Sequence, residues 1–162
     1  MEGRLIQFQL TKLKKMKTET GLKLRDVGEF GFIARLARTF NQHLPEEITG
    51  IGDDCAVLPW TGDWKLLVTT DLLLDGVHFL KEKMAPADIG YKALAVNLSD
   101  VAAMGGKPLW AFLSIALPAE TELAWADRFF SGWKSLSEKT QVKLLGGDTT
   151  RTTASMVINV VV

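Results

Sequence analysis

Trp110-Ala-Phe-Leu-Ser-Ile-Ala-Leu117, then Thr121-Glu-Leu-Ala-Trp-Ala-Asp-Arg-Phe-Phe-Ser-Gly-Trp-Lys-Ser-Leu-Ser-Glu-Lys139, then Val142-Lys-Leu-Leu145 is the stretch on which the fold turns. The first run is apolar enough for a buried strand. In the second, Leu123, Ala126, Phe129, Phe130, Trp133 and Leu136 recur at helical spacing and predict one apolar stripe. The third is a short strand ending in Gly146-Gly147-Asp148. Working upstream, Pro86 and Asp88 suit a helix N-terminus, and Ile89 to Met104 stays rich in Ala and Leu until Gly105-Gly106 stops it. Lys65 to Thr70 reads as a strand ending in Asp71, followed by a turn at Asp75-Gly76 and an extended or looped Val77-His78-Phe79. Cys55 to Leu58 is a short strand candidate. Downstream, Met156 to Val162, interrupted only by Asn159, is another strand. Ahead of all these, Asp26-Val-Gly-Glu29 has capping-box spacing, and Phe30, Ile33, Leu36, Ala37 and Phe40 predict an amphipathic helix to about Asn41. The order after that helix is β, β, α, β, α, β, β. It implies an α+β fold: a single mixed or antiparallel sheet with helices on one face.

The 162 residues, 47% hydrophobic and 23% charged, suit one domain with a real core and exclude a disordered chain. A single cysteine, Cys55, rules out a disulfide framework and fits a reducing, cytoplasmic setting. No apolar run approaches the roughly 20 residues of a membrane helix. Charge is uneven. Residues 1–25 hold seven Lys/Arg against two Asp/Glu, and the rest of the chain 12 against 17. The acidic body argues against nucleic acid as a partner, because phosphate binding needs clustered cations. The basic segment 1–25 lacks the apolar core of a signal peptide and reads as a solvated extension, or as an arm for a membrane or partner. Structure proper is expected over 26–162. The apolar Val157 to Val162, with no cap or polar tail, reads as an edge that further chain or a second copy covers.

Carboxylates gather where the chain reverses. Asp53-Asp54 follow Gly50-Ile-Gly52, Asp71 ends one strand, Asp148 ends another, and Asp100 sits on the Ala-rich helix with Asn97 one turn earlier on a similar face. Taken singly, each Asp at a turn reads as a cap for nearby backbone N–H groups. Taken together with Thr69, Thr70 and Thr149-Thr150, they form a density of hard oxygen donors without a His or Cys cluster, which suits Mg²⁺ rather than zinc. Cys55, beside the acidic pair, reads as a core residue and a blunted nucleophile. His43 reads as solvated. His78 lies near the acidic turns, placed to donate to a phosphate. Gly105-Gly106-Lys107-Pro108 lacks the pattern of a phosphate-binding loop, and no dinucleotide fingerprint follows a strand.

Four blocks carry a resemblance. Gly50-Ile-Gly-Asp-Asp-Cys-Ala-Val57, Thr69-Thr-Asp71 with Asp75-Gly-Val-His-Phe79, Tyr91-Lys-Ala-Leu-Ala-Val-Asn-Leu-Ser-Asp-Val-Ala-Ala-Met-Gly105 and Gly146-Gly-Asp-Thr-Thr-Arg151 resemble the thiamine-monophosphate kinase family. That family lies in the superfamily of aminoimidazole ribonucleotide synthase and selenophosphate synthetase. The resemblance implies transfer of the ATP γ-phosphoryl group to thiamine monophosphate. It implies an N-terminal domain that pairs with its twin into a closed barrel across a homodimer, with several Mg²⁺ around the nucleotide. By position it implies Asp54, Thr69, Thr70, Asp71, Asp100 and Asp148 as metal ligands, Gly147, Asp148 and Phe130 as ATP contacts, and His78 as a substrate contact. Phe130 also reads as a core position on its helix. Residues 26–162 then correspond to the family's ATP- and Mg-binding domain, with the C-terminal substrate domain outside this sequence. Two other readings stay open: an inactive nucleotide-binding dimerisation module, and another ATP-dependent synthase of the superfamily.

Overall fold

A computed structural model describes residues 21–162. The chain divides into two compact units, one ending at Leu44 and the other running from Pro45 to Val162. Most of the basic segment 1–25 lies outside the described residues.

The first unit contains helix α1 (Leu24–Phe40) and a single 3-10 turn (Asn41–His43). The expected start at Asp26 is displaced. Gly28 adopts φ 67°, ψ 176° and breaks the helix between Asp26 and Glu29, so these two cannot form a capping box with each other. Asp26 instead caps from within the first turn, its Oδ2 accepting the Lys23 N–H at 2.8 Å. None of the α1 residues is buried, including those of its apolar stripe.

The second unit holds β1 (Ala56–Pro59), β2 (Lys65–Val68), β3 (Thr70–Leu74), α2 (Pro86–Ala103), β4 (Trp110–Pro118), α3 (Leu123–Thr140), β5 (Lys143–Thr152) and β6 (Val157–Val161). The α+β class holds. The single sheet does not: β1 and β2 form a separate antiparallel pair, while the main sheet has the order β3-β6-β4-β5. That sheet is mixed, with β4 and β5 parallel and the other pairs antiparallel. It does not close into a barrel within this chain. Strand alternation sends Leu73, Ala111, Leu113, Ile115, Ile158 and Val160 into the core, where α2 supplies Ile89, Ala93 and Leu94 and α3 supplies Trp125, Phe129, Trp133 and Leu136. The buried stripe of α3 is therefore narrower than expected, since Leu123 and Phe130 lie outside it.

The two helices cross backbone to backbone. A Cβ on Gly132 would fall 1.8 Å from the Ala87 carbonyl oxygen, and one on Gly90 would fall 2.0 Å from that of Phe129. Glycine inside a helix costs about 1 kcal/mol, and here the close approach is what it permits.

Two expected strand ends move, and both moves matter for the site. The strand read as Lys65 to Thr70 is broken at Thr69, where the backbone exchanges one partner for another. Thr69 N–H donates to the Val162 carbonyl at 3.0 Å and Val162 N–H returns at 3.1 Å. Asp71 is thus inside β3, opposite Val160, rather than at a strand end. Likewise β5 runs through Gly146-Gly147 to Thr152, so Asp148 lies inside a strand, opposite Ser114. A bulge at Ala111/Phe112 inserts an extra residue into β5 ahead of the two glycines.

Candidate active site

The corner where β3 begins and α2 ends gathers the acidic residues. Thr69, 5% exposed, donates from Oγ1 to Asp100 Oδ2 at 2.7 Å. Asp71 has the same strand parity as Thr69, and Asp100 lies in the last turn of α2, where the helix dipole is negative. Two carboxylates at such a helix end are uncompensated. Burial first, then the Asp100 charge, holds the Asp71 carboxyl above the usual range, with His78 opposing. Cys55 is buried next to the same group of charges. Its thiol is pushed up by burial and then by Asp100, Asp54 and Asp53. The expectation of a core cysteine with little nucleophilic character is met.

His78 is fixed by its turn. Its Nδ1 accepts the Leu74 N–H at 3.0 Å, so a neutral ring carries its proton on Nε2, and that proton is free to be given outward. Asp75 Oδ1 braces the same turn by accepting the Lys81 N–H at 3.0 Å. Lys92, on α2, donates from Nζ to the His78 carbonyl.

Not every expected ligand joins this corner. Thr70 has the opposite strand parity from Asp71, and its Oγ1 accepts from Asn159 Nδ2 at 2.9 Å. Asn159 also donates to the Asp71 carbonyl at 3.1 Å. It thus ties β6 to β3. Its signal in sequence is that it is the one polar residue in an apolar strand. Asp54 is exposed, its N–H donating to Asp53 Oδ1 at 2.9 Å. Asp148 is exposed on β5, its Oδ1 accepting the Thr149 N–H at 2.9 Å. Two strands separate β3 from β5, on the order of 14 Å at about 4.8 Å per strand. Asp71 and Asp148 therefore occupy different ends of the sheet. Gly147, with φ 150°, leaves no room for a side chain, since a Cβ there would lie 1.7 Å from the Leu113 carbonyl oxygen. Phe130 is half exposed on α3, edge-on to Phe129 at 5.3 Å between ring centres. It is not a core position.

Among the described residues, no three His, Cys, Asp or Glu side chains stand close enough to share a metal ion. Zinc and calcium sites built wholly from protein would need such a cage. A pair of carboxylates with one hydroxyl fits Mg²⁺, which is held by one or two carboxylates together with waters and substrate phosphates.

Residues 52–162 match the family model described as AIR synthase related protein, N-terminal domain, and the chain belongs to that family. Within it, the thiamine-monophosphate kinase of Escherichia coli (strain K12) is 45% identical over 134 residues, 82% of this chain and 40% of that protein. That of Aquifex aeolicus (strain VF5) is 39% identical over 127 residues, 78% of this chain and 39% of that protein. A solved structure described as "AaThiL complexed with AMPPCP and TMP" superposes with a TM-score of 0.78 at 36% identity, covering 88% of this chain and 43% of that one. A hydrogenase maturation protein, HypE, in complex with ATP shares the fold at 22% identity and a TM-score of 0.51. The chain spans about 40% of the length of the curated relatives it matches. Among the described residues, no helix is long and apolar enough to cross a membrane.

Proposed function

We propose that this chain is the nucleotide- and metal-binding half of an enzyme that transfers the ATP γ-phosphoryl group to thiamine monophosphate, giving thiamine diphosphate and ADP. The observation that supports the reading is the hydrogen bond from Thr69 Oγ1 to Asp100 Oδ2 at 2.7 Å, which joins hard donors from the start of β3 and the end of α2 two residues from Asp71. Thr69, Asp71 and Asp100 are the hard donors for Mg²⁺ at this corner, and Asp54, Thr70 and Asp148 are further oxygen ligands outside it. The metal's contribution, when bound, is to neutralise and align phosphates that otherwise repel. In the transfer, an acceptor phosphate oxygen forms the new O–P bond as the bond from the γ-phosphorus to the β–γ bridging oxygen breaks. The acceptor is already mostly ionised near neutral pH, its second pKa being about 6, so no strong base is required. His78 supplies Nε2–H to the acceptor phosphate, and Gly147 with Asp148 meets the nucleotide at the far end of the sheet. Phe130, exposed on α3, is a further ATP contact.

Thiamine-monophosphate kinases at 39% and 45% identity favour this reading over another ATP-dependent synthase of the superfamily. We assign the protein to the cytoplasm on its free cysteine, and pair it with a second copy through the open face of the main sheet; the edge expected at Val157 to Val162 is not one, because β6 lies between β3 and β4.

The test is direct. Calorimetry with ATP, with and without EDTA, is expected to show nucleotide binding only when Mg²⁺ is present. Incubation of the full-length enzyme with ATP, Mg²⁺ and thiamine monophosphate, followed by chromatography of the thiamine phosphates, is expected to yield the diphosphate. The 162-residue chain is expected to bind without appreciable turnover, because near-attack positioning at about 3 Å supplies most of the rate and the relatives use a further 60% of their length. ATP binding undiminished by EDTA overturns the metal bridge, and substantial diphosphate from this chain alone overturns the half-site reading.

A further inference from the structure

We propose that Asn97 is a positioning residue for the acidic corner, its side-chain oxygen accepting a hydrogen bond from a water carried by the divalent cation at Asp71 and Asp100. The inference rests on the cation reading above. Two polar side chains are buried among the described residues, Thr69 and Asn97. Thr69 is bonded to Asp100 directly. Asn97 precedes it by three residues on α2, about 4.5 Å along the axis and on an adjoining part of the same face.

Asn97 is 0% exposed. Its Nδ2 donates to the Ala93 carbonyl at 3.2 Å, while its Oδ1 is buried with no hydrogen-bond partner. A buried acceptor without a donor is costly and asks for a reason. The two carboxylates and Thr69 leave it no donor. Ionised carboxylates only accept, and the single hydroxyl proton of Thr69 is already given to Asp100. The chemistry that brings O–H donors into a carboxylate site is a hydrated hard cation. Mg²⁺ sheds its waters reluctantly, and groups that hold those waters orient the shell. An isosteric leucine would have satisfied the core at this position without the orphaned oxygen.

The experiment uses the full 162-residue chain and Mn²⁺ as the probe, with affinity read by electron paramagnetic resonance and melting temperature read in EDTA. For Asn97→Leu, Mn²⁺ affinity is expected to fall about tenfold, with the EDTA melting temperature unchanged or raised because the orphaned acceptor is gone. If Asn97→Leu does not fold, Asn97→Ala is read for affinity in the same way. Wild-type affinity in the leucine or alanine variant overturns the proposal. Asp71→Asn separates this from the larger reading. If wild type and Asp71→Asn bind Mn²⁺ equally, or neither binds, the cation site fails and Asn97 with it. If Asp71→Asn loses Mn²⁺ while Asn97→Leu does not, only the assignment of Asn97 fails.

Discussion

Thr69 and Asp100, 31 residues apart in sequence, are joined by a 2.7 Å hydrogen bond from the threonine hydroxyl to the carboxylate. The bond turns the hydroxyl proton toward Asp100 and leaves the oxygen's two lone pairs directed elsewhere, the orientation a metal-ligating hydroxyl needs. It also ties the start of β3 to the end of α2. Thr69→Val keeps the volume and removes the bond. A hydrogen bond to a charged group is worth about 1.5–3 kcal/mol, so the urea midpoint in EDTA is expected to fall accordingly. An unchanged midpoint would mean that the bond contributes nothing to the fold.

Asp71→Asn is expected to act in the opposite direction. The Asp71 carboxyl is held above the usual range by burial and then by Asp100, so it binds its proton more tightly in the native state than in the unfolded one. Its contribution to stability is therefore unfavourable once the pH exceeds that raised value, and the deficit is relieved as pH falls back through it. At pH 7 in EDTA the asparagine variant should melt higher than wild type, with the difference vanishing below the ordinary carboxylate range. Its affinity for Mg-ATP should meanwhile fall at least tenfold. A variant that melts lower at pH 7 would contradict the strain assigned to this carboxylate.

Gly147→Ala and Gly132→Ala separate site from scaffold. In each, the new methyl meets a backbone carbonyl oxygen, at 1.7 Å from Leu113 and 1.8 Å from Ala87 respectively, and backbone must move. Both variants should lose stability by several kcal/mol, in the range of severe overpacking. Only the Gly147 variant should also weaken nucleotide binding at a temperature where it remains folded, because β5 carries Asp148. Equal nucleotide affinity in the two folded variants would remove Gly147 from the site.

The open face of the main sheet exposes Leu72, Trp110 and Phe112, with relative exposures of 50%, 44% and 46%. Sedimentation at micromolar concentration is expected to give twice the chain mass, and Phe112→Asp to shift it to the monomer. A wild-type chain that sediments as a monomer at these concentrations would end the homodimer proposal.

The sequence by itself determined α2, α3, β4 and β6, which are long, strongly periodic or continuously apolar and read correctly to within a few residues, while the expected order β, β, α, β, α, β, β is one strand short of the observed β, β, β, α, β, α, β, β. It also determined the chemical character of the site, since Asp54, Asp71, Asp100 and Asp148 with their threonines are hard donors whatever their arrangement. Tertiary structure decided the rest. The break at Thr69 comes from pairing with Val162, a partner 93 residues away that no local pattern announces. The same pairing sends β2 and β3 into different sheets, so the expected single sheet became two. Continuation of β5 past Gly146-Gly147 depends on the neighbouring β4, against which two glycines that look like a stop simply extend. The α1 stripe forms the expected amphipathic helix, but the break at Gly28 is a backbone conformation that apolar spacing does not report. Which carboxylates meet was likewise a matter of sheet order: β3 and β5 take opposite edges, so Asp71 finds Asp100 across a helix end while Asp148 stays two strands away. Spacing along the chain fixes which face a residue shares with its near neighbours, and only the pairing of distant strands fixes which residues become neighbours.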